Sequence, residues 1–228
     1  MPGGVGIDRV SGRDVEVLEF VARYGVVPRD AVAEWADTAK TMTYRREGRL
    51  RRAGLLRLEL PLLAGGPFLV ATRAGLGLCG RDELPPARLS ASQLHHQTAS
   101  ARLGARLERA GAQLLSEREL RAEERAWGKR IYSIRLRERW HRPDLIGVGE
   151  LPTALEVELT RKAQGRLDEI VRLWHRAVDE GRFHAVHYYC TPGVLPYVAR
   201  AVERADADAQ IRIELLPEED FRPKPLLA

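Results

Sequence analysis

The spacing of apolar residues predicts three helices and a hairpin in the first third of the chain. Residues 12–24 carry apolar side chains at intervals of three and four, which predicts a helix that a glycine ends. A short helix over 28–36 and a third helix over about 38–53 follow. The apolar runs 55–63 and 67–72 are separated by a glycine-rich turn and predict a β-hairpin.

In the rest of the chain, helical patterns alternate with short apolar runs. The predicted elements are a helix at 91–110, strands at 131–136, 143–148 and 153–160, a helix at 164–180, a strand at 185–191, a helix at 192–204 and a strand at 211–217. Helices that alternate with strands are typical of an α/β sheet domain. The chain as a whole is therefore expected to be α/β, or α+β when both parts are counted.

The order of these elements predicts three parts. Three helices followed by a hairpin are the order of a winged helix-turn-helix, so residues 1–80 are expected to form a winged-helix DNA-binding domain. Residues 81–112 contain Pro85-Pro86 and are expected to form a linker and a connecting helix. Residues 113–228 are expected to form the sheet domain.

Composition narrows the class of protein. The 228 residues are 44% hydrophobic, carry a net charge of +5 and have a pI near 9.5, which favours a folded protein with an anionic partner. Two distant cysteines, Cys79 and Cys190, indicate neither a disulfide framework nor a zinc motif, so a reducing cytoplasm is expected. No apolar run is long enough for a membrane span, and none is expected.

Positive charge is concentrated in the third predicted helix and the residues that follow it. Residues 38–57 hold seven basic residues and one acid, a local net charge of +6 that exceeds the charge of the whole chain. A helix with one apolar face and one cationic face suits the DNA major groove. The expected DNA-binding residues are Lys40, Thr41, Thr43, Tyr44, Arg45, Arg46, Arg49 and Arg52. The alternative is a solvated charged face that meets an acidic protein partner.

Three acids interrupt two of the predicted strands. Asp144 opens one strand, and Glu156 and Glu158 share a face of the next because side chains alternate along a strand. If the two strands pair, the three carboxylates come together and repel one another unless a cation neutralises them. Hard cations such as Mg²⁺ or Mn²⁺ prefer such oxygen ligands and can activate water toward a phosphodiester. The alternative is a set of salt bridges to Arg135, Arg137, Arg139 and Arg161.

The segment Pro143-Asp144, followed after eleven intervening residues by Glu156-Val157-Glu158, resembles the PD-(D/E)xK nuclease signature. With a winged helix before it, the chain resembles the replication-relaxation proteins of actinobacterial plasmids and mobile elements. The resemblance implies a restriction-endonuclease-like domain in a cytoplasmic bacterial protein associated with a plasmid or the nucleoid, which binds double-stranded DNA. It implies either a Mg²⁺- or Mn²⁺-dependent endonuclease or a non-catalytic regulator of replication or transcription with a degenerate nuclease fold.

The same resemblance assigns roles to the site residues. It makes Asp144 and Glu156 the metal ligands and places Glu158 where the family pattern has a lysine. The lysine can come instead from Lys162 or Lys129, and the resemblance makes Glu117 an extra acid.

The remaining signals predict little chemistry. Residues 75–80, GLGLCG, are followed by a proline-containing segment rather than a helix, so no dinucleotide cofactor is expected. Trp127, Trp140 and Trp174 are expected to be core or domain-interface residues rather than base-stacking platforms. His141 lies close to Asp144 in sequence and is a candidate contact to a phosphate or to the metal site. A homodimer that reads two half-sites is plausible for a winged-helix protein.

Overall fold

The chain divides into two compact units in a computed structural model that describes residues 10–61 and 66–221. The first unit runs through Gly111 and the second begins at Ala112. Both units combine helices with a sheet, so the expected mixed α and β class is confirmed. Residues 1–9, 62–65 and 222–228, including part of the expected hairpin, lie outside the described ranges.

The first unit contains five helices and three short strands among its described residues. In chain order these are α1 (Gly12–Tyr24), β1 (Val27–Pro28), α2 (Arg29–Trp35), α3 (Lys40–Arg52), β2 (Leu56–Glu59), β3 (Phe68–Ala71), α4 (Arg73–Leu78) and α5 (Leu94–Arg109). The strands form an antiparallel sheet in the order β1-β3-β2. Strand β1 is only two residues long and was not predicted, because so short a stretch has no visible periodicity.

Local signals explain where α1 begins and ends. The Ser11 hydroxyl accepts a hydrogen bond from the backbone N–H of Asp14, and the Asp14 carboxylate accepts one from the Ser11 N–H. This reciprocal pair satisfies donors that the first turn of a helix leaves open. At the other end Gly25 adopts a φ of 85°, which a residue with a side chain rarely does.

Helix α5, which was expected to connect two domains, is part of the first unit. It packs against α2 and β1, and its Leu94 and Leu103 are buried. At Gly104 the helix comes so close to Tyr24 that an added Cβ would lie 2.0 Å from the Tyr24 hydroxyl. That hydroxyl donates to Glu108 at 2.8 Å, so the packing of α1 on α5 depends on the missing side chain.

The second unit is built on a five-stranded mixed sheet. Its elements in chain order are β4 (Leu114–Ser116), α6 (Glu117–Trp127), β5 (Ile134–Leu136), β6 (Arg139–His141), β7 (Leu145–Gly147), β8 (Thr153–Glu158), α7 (Gln164–Asp179), β9 (Ala185–Cys190), α8 (Leu195–Arg204), β10 (Ile211–Leu215) and α9 (Glu218–Phe221). The strand order is β10-β9-β8-β7-β4. Strands β8, β9 and β10 are parallel, whereas β7 is antiparallel to both β8 and β4.

The strand predicted at 131–136 does not join this sheet. It forms β5, which pairs only with β6 in a separate two-stranded hairpin, and β4 occupies the sheet edge instead. No strand was predicted between residues 110 and 131, so the three-residue strand that ends at Ser116 was missed. A short strand is defined by its partner, here β7, and the partner is distant in sequence.

One apolar core fills the second unit. Trp174 from α7, Tyr188 from β9 and Val198 from α8 are completely buried in it, together with Phe183. Glu156 and Glu158 point to the same side of β8 as Ala154, which belongs to this core. Two acids therefore lie at the edge of an apolar interior. Among the described residues, no helix has both the length and the apolar character that crossing a bilayer requires.

Candidate nucleic-acid and acidic sites

Helix α3 presents a cationic face to solvent. Lys40, Thr41, Arg45 and Arg52 are exposed, and no ion pair within the described ranges engages the three cations. Thr41, Arg45 and Arg52 lie on one side of the helix, with Lys40 at its start, so together they can contact an anionic partner. Four of the eight residues expected to bind DNA are therefore freely presented.

The other four expected DNA contacts are engaged within the first unit. Thr43 is buried and its hydroxyl lies 3.0 Å from that of Thr38. Tyr44 is covered by the Arg29 guanidinium, 3.5 Å from the ring centroid. Thr43 thus lies on the inward face of α3, which it shares with the buried Glu47 and Leu50.

Arg46 and Arg49 hold a buried acid of α1. Their guanidinium groups lie 3.4 Å and 2.8 Å from the Asp14 carboxylate, which is 1% exposed. Burial works against the charge on Asp14, but hydrogen bonds from Ser11 and Arg49 outweigh burial and lower the pKa of Asp14. Arg49 therefore stabilises the packing of α3 on α1.

A shallow depression beside α3 adds to its positive surface. Its lining includes Gly48, Arg51 and Arg52 of α3 and Arg57 of β2. Arg51 also lies 3.3 Å from the buried Glu47. Arg57 lies 3.4 Å from Glu59, so of these three arginines Arg52 alone forms no ion pair within the described ranges and is available to a phosphate.

The three acids of the second unit lie where the strand pattern predicted them. Asp144 directly precedes β7, and its backbone N–H donates to the Leu155 carbonyl at 3.0 Å. Because Leu145 pairs with Leu155, Asp144 lies opposite Glu156 and on the same face of the sheet. The Asp144 carboxylate also accepts a hydrogen bond from the Val157 N–H at 2.7 Å.

Glu156 is buried and held by two nitrogen groups. Its Oε1 lies 2.7 Å from His141 Nε2 and accepts a hydrogen bond from the Trp174 indole N–H at 2.9 Å. Burial alone would lower the pKa of His141, but the adjacent Glu156 carboxylate outweighs it, and the net pKa lies above 6.5. His141 therefore contacts the acidic site directly, which is one of the two roles that the sequence suggested for it.

Glu158 forms an ion pair with Lys162, four residues further along the chain. Burial would lower the pKa of Lys162, but the charges of Glu158, Glu156 and Asp144 raise it above 10.5. Burial raises the pKa of Glu158, as do Glu156 and Asp144, while Lys162 opposes them. One lysine thus interacts with all three carboxylates. The arginines considered as partners of these acids are not the groups that hold them.

Glu117 and Lys129 lie differently from this group. The backbone N–H of Glu117 donates to the Asp144 carbonyl at 3.0 Å, but its exposed carboxylate pairs with Arg121 at 2.5 Å. Lys129 is exposed in the turn after α6. Of the two lysines proposed to replace the missing one, Lys162 is the one beside the acids.

Tyr188 adds an unpaired hydroxyl to the acidic site. Its side chain is on the Glu156 side of β9, and its buried hydroxyl has no hydrogen-bond partner among the described residues. Burial raises the pKa of Tyr188 well above 10, and the charges of Glu156 and Glu158 raise it further. An orphaned buried hydroxyl beside carboxylates is suited to a bound water or ion.

The donor set fits a hard cation in its chemistry. Asp144, Glu156 and Glu158 supply the oxygen ligands that Mg²⁺ and Mn²⁺ prefer. Within residues 10–61 and 66–221, however, no three His, Cys, Asp or Glu side chains are already arranged to hold a metal ion. Binding would therefore require Glu158 to exchange Lys162 for the cation.

Glu124 of α6 holds the hairpin and the segment that leads to the acidic site. It was not identified from the sequence. Its carboxylate, which is fully buried, accepts hydrogen bonds from Arg142 Nε at 2.7 Å and the Ser133 hydroxyl at 2.7 Å. The Tyr132 backbone N–H and Arg130 also donate to it, both at 3.2 Å. The amphipathic pattern of α6 gave no sign of an acid on its inward face.

Comparisons with known proteins identify no relative of this chain. No family model, curated protein or solved structure matches the chain. The proposals below consequently rest on the two sites described above.

The pairing of His141 with Glu156 predicts a pH-dependent stability. Because the folded pKa of His141 is raised, its contribution is fully present below about pH 6.5, the ordinary histidine value, and is lost as the pH rises through the folded value. His141→Gln should therefore reduce the melting temperature most at low pH and least at high pH. The measurement is thermal unfolding across this window, in EDTA.

The surface variant His184→Gln is the control for this titration, because His184 is exposed. It should show no such trend. A melting-temperature difference between wild type and His141→Gln that stays constant with pH would contradict the assigned pairing.

Proposed function

We propose that this protein binds double-stranded DNA through α3. The observation that carries the proposal is the exposed cationic face of Lys40, Arg45 and Arg52, free of ion pairs in the described part of the chain. Phosphates would be met by these cations and by the arginine-lined depression, while Thr41 and Arg45 near the start of α3 would reach base edges.

The arrangement of the first unit supports a winged helix-turn-helix. Helices α1, α2 and α3 precede the antiparallel pair β2–β3, as in that motif. Asp14 and Glu47 neutralise the arginines on the inner half of α3, so the outer half keeps its charge. In winged-helix proteins the third helix enters the major groove, which gives α3 the role of recognition helix.

Removing two outward arginines should weaken duplex binding. The double variant Arg45→Ala/Arg52→Ala is expected to lose about 10- to 100-fold in affinity, and each lost phosphate contact should reduce the salt slope by about 0.9. Fluorescence anisotropy with a labelled duplex, repeated over a range of salt concentrations, measures both quantities. Arg49 is unsuitable for this test because its removal would also disturb Asp14.

A charge-matched control separates groove contact from general attraction. Arg13→Ala/Arg109→Ala removes two exposed arginines of the same unit outside α3. It should keep most of the affinity. Equal losses in the two double variants, or no duplex binding by wild type at low salt, would reject the assignment and favour an acidic protein partner for α3.

A second candidate function is metal-dependent cleavage of the bound DNA. It is favoured by one observation, the presence of Lys162 beside Asp144, Glu156 and Glu158 on the face where Tyr188 has an unpaired hydroxyl. Asp144, Glu156 and Glu158 would hold the ion, which when bound would supply a polarised water and stabilise phosphate charge. Lys162, once released from Glu158, would offer an ammonium group to the same phosphate. Without cleavage, the protein is a DNA-binding regulator with a nuclease-like second unit.

Cleavage can be tested on supercoiled plasmid DNA with Mg²⁺ or Mn²⁺. If the second unit is a nuclease, Asp144→Asn and Glu156→Gln should abolish nicking, since each removes one ligand charge. Both amides retain an oxygen that can accept the present hydrogen bonds from Val157 and Trp174, so the fold is preserved.

Glu150→Gln, an exposed acid in the turn before β8, is the matched control and should cleave like wild type. Nicking that persists in both site variants, or is absent from wild type with either metal, would eliminate this second candidate. Duplex binding would be unaffected by that result.

A further inference from the structure

Two tryptophans of the second unit lie on its surface. Trp127 is 58% exposed and Trp140 is 45% exposed, so the expectation that they are core residues is wrong. Only Trp174 is buried. Large exposed aromatic side chains are uncommon on a protein surface and indicate a contact with another molecule.

The hairpin β5–β6 turns Trp140 outward. Ile134 pairs with His141, and these two face inward, where Ile134 joins the core and His141 contacts Glu156. The neighbouring pair, Arg135 and Trp140, therefore shares the outward face. An exposed guanidinium and an exposed indole thus lie side by side.

Trp127 belongs to the same part of the second unit. It is the last residue of α6, one turn beyond Glu124, and Gly128 then ends the helix. Glu124 is hydrogen-bonded to Ser133 and Arg142, which flank the hairpin on both sides. Through Glu124 the end of α6 and both ends of the hairpin are held together. Neither Trp127 nor Trp140 makes an aromatic or cation–π contact with any described residue.

The surrounding charge is strongly positive. Residues 125–142 contain seven basic residues and one acid, a local net charge of +6. Arg125, Lys129 and Arg139 are exposed and form no ion pair in the described ranges, so their charges are available to a ligand. This segment is separate from α3 and lies entirely in the second unit.

We propose that this surface, formed by Arg125, Trp127, Lys129, Arg135 and Trp140, binds single-stranded DNA. Aromatic side chains that stack on bases, set among cations that meet phosphates, are how proteins bind single strands without sequence preference. Unpaired bases expose the faces that an indole can stack on, whereas a duplex buries them. The surface therefore recognises a different form of DNA from that assigned to α3, and the two assignments stand independently.

The test compares an oligothymidylate of about 15 nucleotides, a length suited to such sites, with an abasic strand of the same length. The full chain is expected to bind the oligothymidylate about 100-fold more tightly than the abasic strand, because only the former offers bases to both tryptophans. Trp140→Ala and Trp127→Ala should each weaken oligothymidylate binding by about tenfold, while Trp140→Phe should keep most of the affinity. Leu215→Ala, at another exposed apolar side chain of the unit, should bind like wild type.

The outcomes are distinct from those for α3. Arg45→Ala/Arg52→Ala should retain oligothymidylate binding, and Trp127→Ala/Trp140→Ala should retain duplex binding. Equal binding of abasic and base-containing strands would show attraction by charge alone and overturn the proposal. So would unchanged affinity in the Trp127→Ala/Trp140→Ala variant, or loss of single-strand binding in the α3 variant.

Discussion

Replacing Glu124 by alanine is expected to lower the free energy of unfolding of the second unit by about 3–5 kcal/mol, the cost of breaking a buried ion pair from one side. Glu124 is fully buried and accepts hydrogen bonds from Arg142, Arg130, Ser133 and the Tyr132 backbone. Without it, the partly buried Arg142 loses its compensating charge. The hairpin and the segment that leads to Asp144 lose their common anchor.

Hydrogen exchange of β7 and β8, followed by mass spectrometry, measures this loss in the full chain. Glu124→Gln should cost less, because the amide oxygen can still accept from Ser133 or Tyr132. Glu138→Ala, an exposed acid in the hairpin turn, is the control and should be nearly neutral. Exchange rates in Glu124→Ala equal to those of wild type would refute the role assigned to this carboxylate.

The pH dependence gives an independent check on Glu124. Burial works against its charge, but hydrogen bonds from Ser133, Arg142 and Arg130 outweigh it and lower its pKa below 4.5. Its stabilisation is therefore present above about pH 4.5 and is lost as the pH falls through the lower folded value. The difference between wild type and Glu124→Ala should shrink accordingly in acid.

The second large effect is expected at Trp174, which joins the core to the acidic site. Trp174→Ala should lower the free energy of unfolding by about 3–5 kcal/mol, since it leaves a large cavity. The indole is completely buried, with its ring centroid 5.1 Å from that of Phe183, and its N–H donates to Glu156. Trp174→Phe keeps most of the packing but removes this donor from a buried carboxylate, which should cost about 1.5–3 kcal/mol.

A double-mutant cycle isolates the hydrogen bond from the packing. Trp174→Phe and Glu156→Leu, which removes the acceptor, are measured singly and together by urea unfolding, and their effects should be clearly non-additive because the two groups are in contact. Trp127→Phe, at the exposed end of α6, is the matched control and should change stability little. Additive effects of Trp174→Phe and Glu156→Leu would show that the N–H contributes nothing to holding the acid.

Much of the local structure follows from periodicity. Apolar spacing predicted the helices that became α1, α3, α5 and α7, and alternation along β8 correctly placed Glu156 and Glu158 on one face. Both kinds of pattern repeat over several turns or residues, so they are visible without knowledge of any partner. Strands β1, β4 and β6, which have only two or three residues each, offered no such repeat and were missed.

The candidate sites were also only partly visible in the sequence. The charge of α3 was visible in the sequence, but which arginines face inward depended on Asp14, more than thirty residues earlier in the chain. The acids were visible too, whereas their partners His141, Trp174 and Tyr188 come from a hairpin, a helix and a parallel strand. Lys162 was only one of two lysines proposed for the site.

The sequence by itself therefore determined the helices, the strand alternation that gathers three acids on one face, and the concentration of positive charge in α3. Only the tertiary structure decided that Arg46 and Arg49 are engaged, that Lys162 joins the acids, and that Trp127 and Trp140 are exposed while Trp174 is buried. The physical reason is the range of the interactions. Periodicity acts between near neighbours in the chain, whereas burial and ion pairing depend on groups brought together by folding.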